Sequence, residues 1–354
     1  MDRKYVLVIN PGSTSTKVAI YKDEDEVDSY KLHHNRDELE KYKKVIDQYD
    51  YRLKLIYDWL EHENINTKSL KAVAGRGGIL RPMPGGTYLV TEKMVEDLEV
   101  GIGGEHAANL GGILAKGIAD KEGIPSFIVD PVAVDEFRNV ARISGLKEIE
   151  RKSQIHALNV KAVSYRRAQE LNKNLKDLNF IVAHLGGGIS IAPVEGGRMI
   201  DVNNASEMGP FSPERTGDLP AMSLMDLCYS KEYTFEEMKE KIKGNGGLMS
   251  YLGTVDAREI EKRIDFGDEY AKLIYDAMIY QIGKEIGAAA AVLKGKVDNI
   301  ILTGGLAYSE YLVKKVKDMV EFISEIIVYP GEDEMDALNK GVLRVFNGEE
   351  KPKI

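Results

Sequence analysis

Residues 5–21 read YVLVINPGSTSTKVAIY, and residues 180–194 read FIVAHLGGGISIAPV. Each is a β-branched apolar run, a short polar turn with glycine, and a second β-rich run, the pattern of a hairpin made of buried strands. Asn10 and His184 stand 174 positions apart, and the same offset pairs Gly12 with Gly186, Ser13 with Gly187 and Thr16 with Ser190. In a chain of 354 residues that offset is half the length, which marks two duplicated halves. A glycine turn after a strand presents backbone N–H groups to an anion, and two such turns suit a polyphosphate.

Outward from the first hairpin, residues 37–63 carry Leu39, Tyr42, Ile46, Tyr49, Leu53, Ile56, Trp59 and Leu60 at spacings of three and four, which predicts one amphipathic helix. A strand LKAVAG (70–75), a loop GRGGILRPMPGG (75–86), a strand TYLVT (87–91), a helix over 106–122 and a strand PSFIVD (125–130) complete the half. Pro131 ends that last strand and leaves Asp130 at its tip. The second half enters through a helix over 153–173 containing His156 and repeats the hairpin. A long, polar loop over 195–221 follows, and loops of that length are usually functional. Helices are expected over 222–230, 234–243 and 256–294, the last broken near Phe266 and Gly267. DNIILTGGLAYSEYLVKKV (298–316) reads as strand, Gly-Gly turn and helix, and EIIVYPGEDEMDALNKGVLRVFNG (325–348) as strand, acidic turn and helix. Alternating strands and helices imply an α/β fold with sheets covered on both faces.

The formal net charge of -9 argues against a nucleic-acid partner, because phosphate backbones are bound by clustered Lys and Arg. Any bound anion must then be held by local groups. No apolar run approaches the ~18 residues of a membrane span, and MDRKYVLVIN passes directly into a strand, so neither a membrane nor a signal peptide is expected and the cytoplasm is. The single cysteine, Cys228 in MDLCYS, is expected in the core.

Several side chains fall where chemistry could occur. Asn10 and Ser13 sit in the first turn, where an amide and a hydroxyl either cap the turn or hold phosphate oxygens or metal-bound water. The second copy of the turn favours the phosphate reading. Lys17 lies on the following strand, where an isolated lysine is usually solvated. Arg76 and Arg215 stand in glycine-rich loops, where a guanidinium can bind carboxylate or phosphoryl oxygens bidentately. Asp130, at a strand tip before proline, reads as a turn cap. His184, at the entrance to its turn, is the candidate phosphate-side histidine, and His33, His34, His62 and His106 have no metal-ligand spacing and read as surface or turn residues.

The hairpin-first duplication resembles the actin-like ATPase superfamily. Within it VLVINPGSTSTKVAIY (6–21), HLGGGISIA (184–192), ERTGDLPA (214–221) and their spacing are similar to the acetate and butyrate kinase family. PGEDEMDALNKGVLRV (330–345), the chain length and the proline of NPGSTSTK resemble its butyrate kinases more than its acetate kinases. The resemblance implies two related ribonuclease H-like domains, residues 1–133 with 336–354 for the acyl substrate and 134–335 for the nucleotide, with the nucleotide in the cleft.

The same resemblance implies reversible in-line transfer of phosphate from ATP to a short-chain carboxylate, with Mg2+ as cofactor and a homodimer or higher oligomer expected. Arg76, Asp130, Arg215 and His184 carry over as catalytic residues. Ser13, Ser15, Lys17, Gly186, Gly187, Gly188, Asp256, Arg258, Gly304 and Gly305 carry over as nucleotide-binding residues, and Asn10 with Glu334, or Asp333, as metal-ordering ones. Gly77 and Gly78 replace two bulky aliphatic residues of acetate kinases, which implies a larger acyl pocket. The FHGTSH pattern of acetate kinases departs to RKSQIHALN (151–159): His156 matches its second histidine, and Arg151 or Lys152 falls nearest the missing first. The alternatives are an acetate, propionate or branched-chain acid kinase, or a nucleotide-gated binding protein of the actin or heat-shock type. The latter would normally need an appended interaction domain.

Overall fold

Tyr5–Pro11 (β1) runs antiparallel to Ser15–Lys22 (β2), with Asn10 opposite Lys17 and Pro11 opposite Thr16. The structure, a computed structural model, describes residues 3–354. Asp25–His33 (β3) extends the hairpin. It is a charged, exposed edge strand without an apolar run, and for that reason it is absent from the elements expected above. Leu70–Gly75 (β4), Thr87–Leu89 (β5) and Ser126–Val129 (β6) complete a sheet of order β3-β2-β1-β4-β6-β5, in which β1, β4 and β6 are parallel.

The second sheet contains Asn179–Leu185 (β7), Ile189–Glu195 (β8), Arg198–Met199 (β9), Asn299–Gly304 (β10) and Ile326–Pro330 (β11). Its order, β9-β8-β7-β10-β11, and its strand directions repeat those of β3-β2-β1-β4-β6. The duplication is therefore visible in topology as well as sequence. One detail of the offset changes: His184 faces Ser190 across its hairpin where Asn10 faces Lys17. The second turn is one residue shorter, so Ser190 occupies the place of Lys17, and the expected pairing of Thr16 with Ser190 is corrected.

The chain divides into two compact units, one of Met1–Asp135, Ala157–Asn159 and Asp333–Ile354, the other of Glu136–His156 and Val160–Glu332. The second boundary falls at Asp333 rather than 336, because the last helix begins at Glu334. In each unit the central strand is a continuous buried run, Val6–Ile9 in one and Phe180–Ala183 in the other, as expected of strands covered on both faces. No helix is long and apolar enough to cross a membrane among the described residues.

Other expectations need correction. Residues 37–63 do not form one helix: a short helix Arg36–Leu39 is followed by turns, and the long helix spans Tyr49–His62. Helices Glu92–Glu99 and Gly247–Leu252 were not foreseen. Cys228 is exposed, on a helix (Ala221–Tyr229) with no buried residue.

His34 was expected at the surface and is buried, with Nε2 2.8 Å from Thr16 Oγ1. Burial, and then the Arg52 charge, lower its pKa to about 4. A histidine held neutral in the fold and free to protonate when unfolded contributes stability above pH ~6.5 that is lost progressively toward pH ~4, on the order of 2–3 kcal/mol in all. Denaturant titrations at pH 7 and pH 4.5 should therefore differ less in His34→Gln than in the parent; an identical pH dependence would contradict this.

Candidate functional site

In the first unit the parallel strands β1, β4 and β6 end on one edge, where ligands of open α/β sheets commonly bind. Asn10 lies near the end of β1, Arg76 follows β4 and donates its backbone N–H to Ile9 O at 2.8 Å, and Asp130 follows β6. Helix Asn109–Glu122 packs onto this edge backbone to backbone: a Cβ on Gly75 would lie 2.0 Å from Gly111 O, and one on Gly111 would lie 2.3 Å from Arg76 O. Only glycine permits that approach, and it fixes the chain on which Arg76 is carried.

Glu334, in the first turn of the helix Glu334–Phe346, joins Asn10 and Arg76. Its Oε2 accepts from Asn10 Nδ2 at 2.6 Å and its Oε1 lies 2.9 Å from Arg76 Nη2. Arg76 Nη1 is buried and has no partner. Asp333, the other acidic candidate, is occupied differently: it caps the helix by accepting from Asp336 N at 3.0 Å. Lys17 is directly opposite Asn10 and so shares its face, and its Nζ meets no protein group among the described residues. Ser13 is exposed and Ser15 half-buried in the turn, which is closed by Gly12 N donating to Ser15 O at 2.7 Å.

Asp130 is buried, with φ +39°, a left-handed conformation that costs a non-glycine residue on the order of 1 kcal/mol. Its Oδ1 accepts from Gly86 N at 2.7 Å. Such strain, at a strand end beside Arg76, is the pattern of a functional position. Arg81, the second arginine of the 75–86 loop, is an exposed side chain paired with Asp97 at 2.9 Å.

Gly77 and Gly78 do not open an acyl pocket. A Cβ on Gly77 would lie 2.5 Å from Pro131 Cβ, and one on Gly78 would lie 2.2 Å from Asn109 Oδ1 and 2.5 Å from Asn109 Cα. The loop is clamped there, Asn109 accepting from Ile79 N at 2.9 Å and donating to Gly104 O at 2.9 Å. Gly78→Val is therefore expected to cost about 3 kcal/mol of stability, the overpacking range, instead of re-sizing a pocket. An unchanged urea midpoint would contradict this.

In the second unit the turn Gly186–Gly188 follows β7 and is held from outside by Ser212 Oγ donating to Gly187 O at 2.5 Å. The His184 ring lies beneath it, buried, and does not stand free at its entrance. It stacks on His156 with centroids 3.9 Å apart and planes 12° apart, and its Nε2 is 3.8 Å from Glu332 Oε2. His156 Nδ1 is in turn 3.0 Å from Ser190 Oγ.

Arg215 lies against Gly188, whose Cβ would fall 2.2 Å from Nη1 and 2.5 Å from Cζ. Its Nη1 donates to Ala205 O at 2.8 Å, while Nε is buried without a partner. Burial lowers its pKa. Arg76 and Arg215 are the only arginines with an unpaired buried N–H among the described residues. A buried donor left unmade costs about 1–3 kcal/mol, so each is a place where a ligand oxygen would repay binding.

The remaining candidates are mixed. Asp256 caps a helix and its carboxylate takes both Arg258 Nε (2.9 Å) and Nη2 (2.7 Å), which holds it at a pKa of about 2. Gly304 (φ +87°) is required by the fold, a Cβ there striking Leu185 O at 2.4 Å, whereas a Cβ on Gly305 would meet nothing within 4 Å and leaves open space. Arg151, considered for the missing histidine, is spent on Ala141 O, Val202 O and Asp201, and Lys152 is exposed. Sequence reasoning missed Ser212 and Arg52; neither stands in a motif that would single it out.

The strand order and the paired glycine turns define a two-domain protein of the actin-like ATPase fold, and comparison with known proteins agrees. The acetate kinase of Porphyromonas gingivalis superposes with a TM-score of 0.80 at 21% identity, covering 97% of this chain and 100% of that one. A propionate kinase from Francisella tularensis superposes with a TM-score of 0.74 at 17% identity, covering 96% and 98%. The chain belongs to the acetokinase family, whose profile matches residues 144–327. A protein named probable butyrate kinase 2 from Caldanaerobacter subterraneus subsp. tengcongensis is 58% identical over 349 residues, 99% of each chain. The chain is thus a carboxylate kinase that uses ATP and ADP as co-substrates.

Proposed function

We propose that the chain catalyses butyrate + ATP to butyryl phosphate + ADP, reversibly and by direct transfer. The observation that carries this is Arg76: a buried guanidinium anchored by Glu334 through Nη2, with Nη1 unpaired at the end of β4. One carboxylate oxygen attacks the γ-phosphorus and forms the C–O–P linkage; the bond from that phosphorus to the β–γ bridging oxygen breaks, and its electron pair leaves on ADP. No base is required, since a carboxylic acid with a pKa of about 4 is ionised at neutral pH. The chain's work is positioning and charge neutralisation. Asp130, whose Oδ1 already holds the Gly86 amide, positions its loop and does not remove a proton.

In the first unit Arg76 Nη1 holds the carboxylate, and the turn amides with Ser13, Ser15 and Lys17 hold phosphoryl oxygens. In the second, the amides of Gly186–Gly188 hold nucleotide phosphate with His184 beneath them. Arg215 Nε binds a phosphoryl oxygen, and the open backbone at Gly305, with Asp256 and Arg258, borders the nucleoside. Glu334 and the Asn10 amide oxygen fit Mg2+, which takes one or two carboxylates and completes its shell with water and substrate phosphate. No group of three His, Cys, Asp or Glu that could hold a metal ion exists among the described residues. When bound, the ion neutralises β- and γ-phosphate charge.

Butyrate is taken from the 58% identical relative, since the glycine argument for chain length is overturned. Each methylene contributes only about 0.8 kcal/mol, so propionate and branched acids should be used within about tenfold. Trapping with hydroxylamine in the presence of ATP, Mg2+ and acids of two to six carbons tests this. A butyryl hydroxamate that depends on ATP is expected. No hydroxamate from any acid would reject the proposal, and acetate as the sole substrate would reject butyrate.

A further inference from the structure

Arg52 is the largest fully buried side chain among the described residues, on the helix Tyr49–His62. Burying a charge costs several kcal/mol unless it is well paired, and the usual partner is a carboxylate. Here there is none. Nε and Nη2 donate to Gln48 Oε1 at 3.0 and 2.8 Å. The other bonds all go to the first turn: Nη1 donates to Gly12 O at 2.9 Å, Ser15 O at 3.3 Å and Thr16 Oγ1 at 3.0 Å, and Nη2 to Ser13 O at 3.3 Å. Burial lowers its pKa to about 10, which still leaves it charged at neutral pH.

These bonds determine where the turn's amides point. In a planar trans peptide the C=O and the following N–H point opposite ways. Carbonyls of Gly12 and Ser13 drawn inward to Arg52 therefore turn the N–H groups of Ser13 and Thr14 outward. Ser13 and Thr14 are exposed, and their amides donate to no group among the described residues. A fold that needed only a closed hairpin could be built with an apolar residue at this place; an uncompensated cation behind outward amides makes a site for an anion.

We propose that Arg52 is the positioning residue of the first turn: it holds the Gly12, Ser13 and Ser15 carbonyls from behind and lends its uncancelled charge to the nucleotide phosphate that the Ser13 and Thr14 amides receive. The role deepens the proposed function and rests on the assignment of this turn to phosphate. Gln48→Glu separates it from mere packing, because it keeps the shape and both hydrogen bonds to Arg52 while cancelling the charge. With about fivefold weakening for one charge screened by protein, Gln48→Glu should raise the KM for ATP about fivefold. Its KM for butyrate should stay within twofold of the parent, and its thermal midpoint should not fall.

Arg52→Met should act in the same direction and more strongly, and Arg52→Lys should recover part of the loss. A folded Gln48→Glu protein with an ATP KM within twofold of the parent would overturn the proposal, whether or not Arg52→Met folds. Lys17→Ala is measured in parallel. If it too leaves the KM for ATP and kcat unchanged, the assignment of the turn to phosphate fails and the role of Arg52 falls with it. If Lys17→Ala is impaired and Gln48→Glu is not, the role of Arg52 alone is refuted.

Discussion

Arg76→Ala is expected to lower kcat/KM for butyrate by about 10²–10³, the loss seen when one preorganised charged donor is removed from a transition state. The guanidinium stands with one edge on Glu334 and Nη1 buried and unpaired, so its removal takes away the donor and leaves the Glu334 carboxylate without its counter-charge. Both consequences oppose an approaching anion. Arg76→Lys should recover only part of the activity, because an ammonium cannot hold Glu334 and a second oxygen in the planar fork. Coupled assays of ADP formation across butyrate concentrations, with circular dichroism to verify folding, provide the check. A folded Arg76→Ala protein within tenfold of the parent would remove Arg76 from the site.

The second large effect is expected at Gly188. Its Cβ would fall 2.2 Å from Arg215 Nη1 and 2.5 Å from Cζ, distances that real Cβ contacts do not reach, so Gly188→Ala must push the guanidinium away. Arg215 would then lose its bond to Ala205 O and its Nε would no longer be aimed beside the turn. A fall in kcat of about 10² is expected, comparable to removing a transition-state donor outright. Gly187→Ala is the contrast: its Cβ would meet only the end of the Glu214 side chain at 3.2 Å, which can give way. Its effect should be about threefold, mainly on the KM for ATP, as expected for a small perturbation of a backbone cradle. Equal kinetics for the two alanine variants would contradict the packing of Arg215 on Gly188.

Much of this arrangement could be read from the sequence, for identifiable reasons. The two hairpins are legible because central strands buried on both faces are continuous β-branched runs, and their glycine turns recur at a fixed offset. The sequence also pointed to Arg76, Arg215 and the acidic pair at 333–334, because each stands in a motif. Of the two acids Glu334 is the preferred one, but the sequence carries no physical reason for that choice. That depends on helix capping, which occupies Asp333 and leaves Glu334 one turn position further to reach Asn10 and Arg76.

Strand β3 was invisible because an edge strand with both faces wet has no apolar period. Gly77 and Gly78 were misjudged because a missing side chain was taken for space, when the space is filled by Pro131 and Asn109. Arg52 lay in a stretch read only for its apolar stripe, where a charged residue passes for the solvated face. His34, just past the end of β3, reads as a surface or turn residue because it follows an exposed, polar strand.

The central claim is that the substrate carboxylate itself attacks the γ-phosphorus, and isotope tracing tests it most directly. Butyrate labelled with 18O in both carboxyl oxygens is incubated with ATP, Mg2+ and hydroxylamine, and the products are analysed by mass spectrometry. Hydroxylamine cleaves butyryl phosphate at the acyl carbon, so the bridging oxygen leaves with phosphate. Inorganic phosphate carrying one 18O, with unlabelled ADP, is the predicted result. Label in AMP, which would mean an acyl adenylate, or hydroxamate formed with unlabelled phosphate, would contradict direct transfer.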